Sequence, residues 1–382
     1  MSIVVHLRDG YTIQEAIDLC KVHEGGMVIV PRGLWITGPL KLCSNLTLEV
    51  EEGAVVSFSN NPDDYLPVVF TRWEGMECYN YTPLIYASNC EHIKIFGKGK
   101  FIGNGESWWS WKKLQGEAAQ RLCYSEANNI PVQERIYGTK RDALRPSFIQ
   151  FINCSFVELN GFTIENGPQW TIHPVYCQYM LIKNVNVYSN GPNTDGINPD
   201  SCKDMLITGC TLSTGDDCIA INAGMNEDGW RVNKCCENIE ISNCVMNGGH
   251  GGVVIGSAVS GGIKNISFHD CIIRKTNQGI RIKSMKGRGG YIHNVSFENI
   301  ILSDILEAGI EISMFYPYST VTPLSHKTTD CKGIQIKNVT GNSLKKGIAI
   351  RGLMENPIKG LKMENVTISS KEKDQVEYAE IC

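Results

Sequence analysis

The sequence predicts an all-β protein, a parallel β-helix with a short N-terminal capping helix. Three observations carry this. Short runs alternating apolar and polar residues recur at intervals of roughly 23 to 40 residues, as in Phe156-Val157-Glu158-Leu159, Met180-Leu181-Ile182, Met205-Leu206-Ile207, Asn238-Ile239-Glu240-Ile241 and Asn294-Val295-Ser296-Phe297. Each run turns at Asn or Gly and resumes with a second pair, such as Phe162-Thr163-Ile164 or Val185-Asn186-Val187. Cysteines recur in step, with Cys154, Cys177, Cys202, Cys235 and Cys331 opening repeats and Cys210, Cys244 and Cys271 at a second equivalent place.

From the N-terminus, Thr12–Val22 reads as the capping helix: Thr12 and Glu15 form a capping box, and Ile13, Ala16, Ile17 and Cys20 share one face. Such a helix covers the open edge that a stack of strands leaves at its end. Strand-like runs follow at 27–30, 46–50 and 54–58, and the repeat dominates from Ile93 onward. Residues from about 105 to 145 break the period. They carry Trp108, Trp109 and Trp111, a segment of helical character at 112–121, and Leu144-Arg145-Pro146. This stretch reads as an insertion over a groove; the competing reading has the tryptophans plugging the core. With no linker-like stretch, the 382 residues form one elongated domain.

Composition narrows the function. A net charge of −4 without a basic block leaves no electrostatic footprint for nucleic acid. No stretch approaches a membrane span. Met1–Gly10 lacks the apolar run of an export signal, which makes a cytoplasmic location the expectation. The 16 cysteines contain no Cys-x-x-Cys pair, so they read as columns of buried thiols rather than disulfides or a zinc site. Gly97, Gly99, Gly103 and Gly105 have the wrong spacing for a dinucleotide loop, and Gly287-Arg288-Gly289-Gly290 lacks the Lys-Ser or Lys-Thr of a phosphate loop.

The chemistry concentrates in Asn193-Thr194-Asp195 and Gly215-Asp216-Asp217, one coil apart. Neighbouring strands lie roughly 4.8 Å apart, so the three carboxylates stack and repel, which divides them into a proton donor and ionised bases. That division is what cleavage of a glycosidic bond requires. Further coils bring Gly249-His250-Gly251 and Arg281-Ile282-Lys283, whose two cations fall on one face of a strand as a clamp for a carboxylate would need. Spacing alone does not say which acid plays which role.

These four segments in this order resemble the polygalacturonases of glycoside hydrolase family 28, over most of the chain from about Gly10 to Gly352. The resemblance implies a right-handed parallel β-helix and an inverting hydrolase of pectic galacturonides needing no cofactor or metal. Carried over by motif, Asp216 is the general acid, Asp195 and Asp217 activate water, and His250 bonds the acids and keeps the donor protonated. Arg281 and Lys283 bind a sugar carboxylate, and Asn193 orients Asp195 or a sugar hydroxyl. Trp170, His173, Tyr316 and Arg145 are further substrate-binding candidates. Thr71-Arg72-Trp73-Glu74-Gly75 and Arg288-Gly289-Gly290 are similar to bacterial exo-acting members. Asn198 replaces a common Asp and Asn222-Ala223-Gly224 a common Lys-Ser-Gly, which opens the alternative of a decorated or branched galacturonide. A calcium-dependent lyase and a non-catalytic carbohydrate-binding β-helix are the rivals, and a homo-oligomer is a possible assembly.

Overall fold

The computed structural model describes residues 3–319 and 321–382. It is a right-handed parallel β-helix. Its strands pair in parallel from rung to rung, except for the hairpin Val69–Trp73 with Met76–Asn80. Inward positions register apolar on apolar: Leu159, Ile182, Ile207, Ile241, Phe268, Phe297 and Ile336 form one buried column. Helix Ile13–Val22 covers the first rung, with Thr12 and Glu15 making the reciprocal capping bonds and Ile13, Ala16, Ile17 and Cys20 buried. Among the described residues no helix is long and apolar enough to cross a membrane.

The cysteines are free thiols stacked inside the coil. Register corrects one of them. Ser155 pairs with Gln178, Gln178 with Lys203, and Lys203 with Glu237, so Cys236 continues the column of Cys154, Cys177 and Cys202, while Cys235 stands one residue outside it. A one-residue slip would turn every side chain of that strand over, and Ile239 and Ile241 decide against it by filling the inward positions.

At the turns, asparagines adopt left-handed backbone angles and bond along the stack. Asn238 donates to Asp204, Asn265 to Asn238 and Asn294 to Asn265 at 3.0, 3.2 and 3.3 Å, all with φ near +55°. The amide side chain fits because it bonds its neighbours on both rungs while tolerating that conformation.

The third face of the coil carries the site. It runs through Ile85–Ser88, Ile149–Ile152 and Ile172–Val175, the bridged positions Ile197 and Ile219, then Gly251–Ile255, Gln278–Lys283, Ala308–Ser313 and Lys346–Arg351. Over its N-terminal half lies a second apolar cluster with Trp73, Met76, Leu122, Tyr137, Leu144, Met225, Ala258 and Val321. It joins the hairpin to helices Gly116–Ala127 and Asn226–Val232. The hairpin was not foreseen as a strand pair. Within residues 105–145, Trp108 packs edge-on and Trp111 tilted against Tyr81 in the main core, while the helix that follows them contributes Ala118, Ala119, Leu122 and Cys123 to the second cluster.

We expect Asn265→Ala to cost about 2 kcal/mol, from a left-handed residue and lost ladder bonds, and Asn265→Gly about half of that. Urea unfolding of the two variants against wild type measures it.

Candidate active site

Two loops on adjacent rungs bring the acids together. Thr194 ties them: its hydroxyl donates to Gly191 O and accepts from Gly215 N at 3.2 Å. A Cβ on Gly215 would stand 2.1 Å from Gly191 O, and one on Gly249 2.3 Å from Asp216 O, so glycine is required at both places. One oxygen each of Asp195, Asp216 and Asp217 lies within 4.8 Å of the others. That is short of the roughly 6.5–9.5 Å associated with inverting pairs, so the stereochemical outcome is not readable from separation here.

Asp216 accepts from His250 Nδ1 at 2.8 Å, from Asp217 N at 3.0 Å and from Asn193 Nδ2 at 3.3 Å. Burial pulls its pKa up, but the His250 bond and the charges of His250, Lys283 and Lys112 outweigh it and hold Asp216 below its ordinary value. The same bond raises His250. Asp195 is pushed well above the usual carboxylate range by burial and by its two acidic neighbours, and it accepts from Asn198 Nδ2 at 3.0 Å. In the free site these shifts favour the proton on His250 over Asp216 and the protonated form of Asp195. These resting states of the free site differ from the protonated Asp216 and ionised Asp195 expected from the motif, and they leave open the roles the two acids take once substrate is bound.

The cations are also committed differently. Lys283 ion-pairs with Asp217 inside the site, and both are buried. Arg281 donates through Nε to Glu311 at 2.7 Å and lies 3.8 Å from Asp217. The ring of Tyr316 spans both, 5.5 Å from the Arg281 guanidinium and 4.9 Å from Lys283 Nζ. Only Arg281 of the pair faces the open groove.

Trp170 lines the site beside the acids. His173, expected there, is fully buried beneath it. The Trp170 ring meets His173 edge-on at 4.6 Å, and His173 Nδ1 accepts from Gln150 at 2.9 Å. Desolvation lowers its pKa, so it is a neutral structural imidazole. Arg145 is likewise out of a ligand's reach. Its guanidinium donates to Gln115 Oε1, Pro168 O, Pro192 O and Asn193 Oδ1, and burial without a carboxylate partner lowers it to about 10. By claiming the Asn193 carbonyl it turns the amide nitrogen toward Asp216, which is how Asn193 serves the site.

The groove has one open and one blind end. From Asp216 and His250 it runs C-terminally over Arg281, Glu311, Tyr316 and Arg351, with a cavity volume of about 960 Å³. In the other direction it stops in a recess of about 70 Å³ walled by Glu74, Trp170, Met225, Ala258 and Tyr318. Buried charge fixes the wall: Arg72 on the hairpin ion-pairs with Asp200 at 2.9 Å, and Arg135 with Asp228 at 2.9 Å. Arg288, fully buried, donates to Ser257 O at 3.1 Å, to Asn226 and to Ser319. The two stretches similar to exo-acting members, 71–75 and 288–290, thus both belong to the wall. Asn222, at the recess, is occupied by Ala220 O and Ala258 N.

Residues 68–381 match the model of the glycosyl hydrolases family 28. The chain belongs to this family. As a family 28 member it is a glycoside hydrolase of the polygalacturonase type. It is 34% identical to a hyperthermoactive exopolygalacturonase of Thermotoga maritima, with a TM-score of 0.94 covering 100% of this chain and 90% of that one. It is 27% identical over 324 residues to endopolygalacturonase I of Aspergillus oryzae, covering 81% of this chain and 76% of the relative. With the exo-poly-alpha-D-galacturonosidase of Dickeya chrysanthemi it shares 26% over 331 residues, and the chain spans 54% of that relative's length. Exo- and endo-acting proteins are both among these family 28 relatives, so the mode of attack rests on groove shape.

Missed in the sequence were Lys112, which reaches the groove from the insertion, and Tyr318 at the recess. Neither lies in a patterned segment; only their neighbourhood to Trp111 and Tyr316 hinted at them.

The raised His250 pKa and lowered Asp216 pKa keep this ion pair stabilising from somewhat below 3.8 to somewhat above 6.5, lost on the acid side as Asp216 protonates and on the basic side as His250 deprotonates. Asp216→Asn should bring His250 back toward 6.5, followed by NMR titration of the imidazole. For Arg145→Gln we expect a fall in kcat of about 10- to 100-fold with KM little changed, since a bond to a charged group is worth about 1.5–3 kcal/mol. The double variant with Asn193→Ala should lose no more than Asn193→Ala alone, which steady-state kinetics on the four proteins checks.

Proposed function

We propose that this enzyme removes galacturonic acid units one at a time from the non-reducing end of pectic oligosaccharides. One observation carries the reading: Asp216 lines both the open groove and the blind recess, while Asp195 and Asp217 line the recess alone. A general acid belongs at the bridging oxygen, between the sugar that keeps its anomeric carbon and the one that leaves. The water-activating carboxylates belong beside that anomeric carbon. The unit that is attacked therefore sits at the blind end and the rest of the chain lies in the open groove. Glu74, Trp170, Met225, Ala258 and Tyr318 wall the recess on the side away from the open groove, so the chain does not continue past the attacked unit. The same restriction argues against a branched or decorated terminal unit.

The charges give the proton route. In the free site His250 holds the proton one hydrogen bond from Asp216. A bound sugar that covers the half-exposed imidazole strips water from the ion pair and favours the neutral form, with the proton on Asp216. Asp216 gives it to the bridging oxygen as the C–O bond breaks. The raised pKa of Asp195 favours its protonated form, while Asp217, ion-paired with Lys283, is the carboxylate that takes a proton from the attacking water. Lys283 and Arg281 hold Asp217 in place, and Arg281 is oriented to meet a sugar carboxylate. Inversion at the anomeric carbon follows the family resemblance.

Oligogalacturonides of defined length, labelled at the reducing end, should yield free galacturonic acid while the label stays on the shortening chain. The first product should be the inverted anomer by NMR, and Asp216→Asn should lower turnover by about 10²- to 10⁴-fold. Early labelled fragments of mixed length would overturn the exo reading. A product absorbing in the ultraviolet would indicate elimination instead of hydrolysis.

A further inference from the structure

Most cations along the groove already have an acidic partner. Lys283 holds Asp217, Arg281 holds Glu311, Lys345 holds Glu307 at 2.8 Å, and Arg351 lies 3.3 Å from Glu377. Lys346 donates to the neutral Gln375 and stands two rungs beyond Gln278, away from the acids. Lys112 is different. It lines the groove together with Asn193, Asp216 and His250, yet among the described residues it makes neither a hydrogen bond nor an ion pair.

Its backbone is held in place. Lys112 lies in the short helical turn Ser110–Lys113, next to Trp111, which packs against Trp108 at 4.9 Å and Tyr81 at 5.7 Å. Trp109 on the same stretch donates to Gly167 O at 3.0 Å and sits so tightly over Gly191 that a Cβ there would meet its ring at 2.1 Å. The lysine stem therefore starts from a fixed point and carries an unpaired ammonium to the mouth of the site. It arrives on the groove side of Asp216, the side assigned above to the leaving unit.

We propose that Lys112 binds the carboxylate of the leaving sugar unit and thereby makes cleavage depend on an acidic residue on that side of the cut. This rests on the exo-galacturonide reading above. An ammonium on a flexible stem suits this task, because the anion must bind before cleavage and depart with the product afterwards. Arg281 already has Glu311 as an acidic partner through its Nε, whereas Lys112 has none. The pull of the same ammonium on Asp216 is consistent with its closeness to the reacting atoms.

The test compares digalacturonide with its methyl ester on the reducing-end unit, in wild type, Lys112→Gln and Lys112→Arg. Wild type should prefer the free acid by more than tenfold in kcat/KM. Lys112→Gln should bring that preference to within about twofold, mainly through KM, and Lys112→Arg should keep most of it. A wild type that does not distinguish the two substrates overturns the proposal. So does a Lys112→Gln enzyme that retains the full preference, which would assign the carboxylate to Arg281. An equal loss on both substrates overturns it as well, because the lysine would then act through Asp216 or the fold. Absence of turnover of digalacturonide by wild type would fail the exo-galacturonide reading itself, a result distinct from the other three.

Discussion

Everything in this molecule depends on the spacing between parallel rungs. Strands about 4.8 Å apart in register place each residue directly over its counterpart in the next coil. Where the counterparts are apolar, as in the column from Leu159 to Ile336, the result is a continuous core. Where they are asparagines at left-handed turns, it is a ladder of amides. Where they are Asp195 and Asp217, it is two carboxyls forced closer than isolated acids would choose, with Asp216 beside them. The stability of the scaffold and the charge crowding of the site thus have one geometric origin.

The rest of the site answers that crowding. Each acid receives a different neighbour: Asp216 a half-exposed imidazole, Asp217 a buried ammonium, Asp195 only the amide of Asn198. Three chemically identical groups consequently differ in protonation, and the one with no cation of its own favours the protonated form. Asn198 and Lys283 do their work through this partition. A carboxylate in place of Asn198 would add a further negative charge beside Asp195 and lift it again.

Much of this was legible before any coordinates. Alternating segments such as Asn238-Ile239-Glu240-Ile241 and the Asn turns announced the coil, because a period of two fixed by burial leaves little freedom. The acids, His250 and the Arg281–Lys283 pair were legible because their segments fall at coil intervals. Three kinds of residue were not. Cys235 and Cys236 are adjacent, and only the register of Ile239 and Ile241 tells them apart. His173 and Arg145 have polar side chains that fit a sugar site, and their burial follows from Trp170, Pro168 and Pro192 closing over them, contacts between distant segments that a local pattern does not encode. The wall around the recess is of the same kind, since the hairpin 69–80, helices Gly116–Ala127 and Asn226–Val232, and Val321 meet only in three dimensions.

That last contrast bears on how the protein reaches its working form. A rung contacts the rungs beside it, a few tens of residues away, so the solenoid can grow by short loop closures from whichever coil forms first. The wall requires segments about 200 residues apart, such as Leu122 and Val321 in one cluster, and Thr322 N on Gln120 Oε1. Its closure entropy has to be met after the coils beneath it exist. The order of assembly then runs from scaffold to catalytic segments to blind end, and a chain caught before the last step would carry an intact acid cluster in a trough open at both ends.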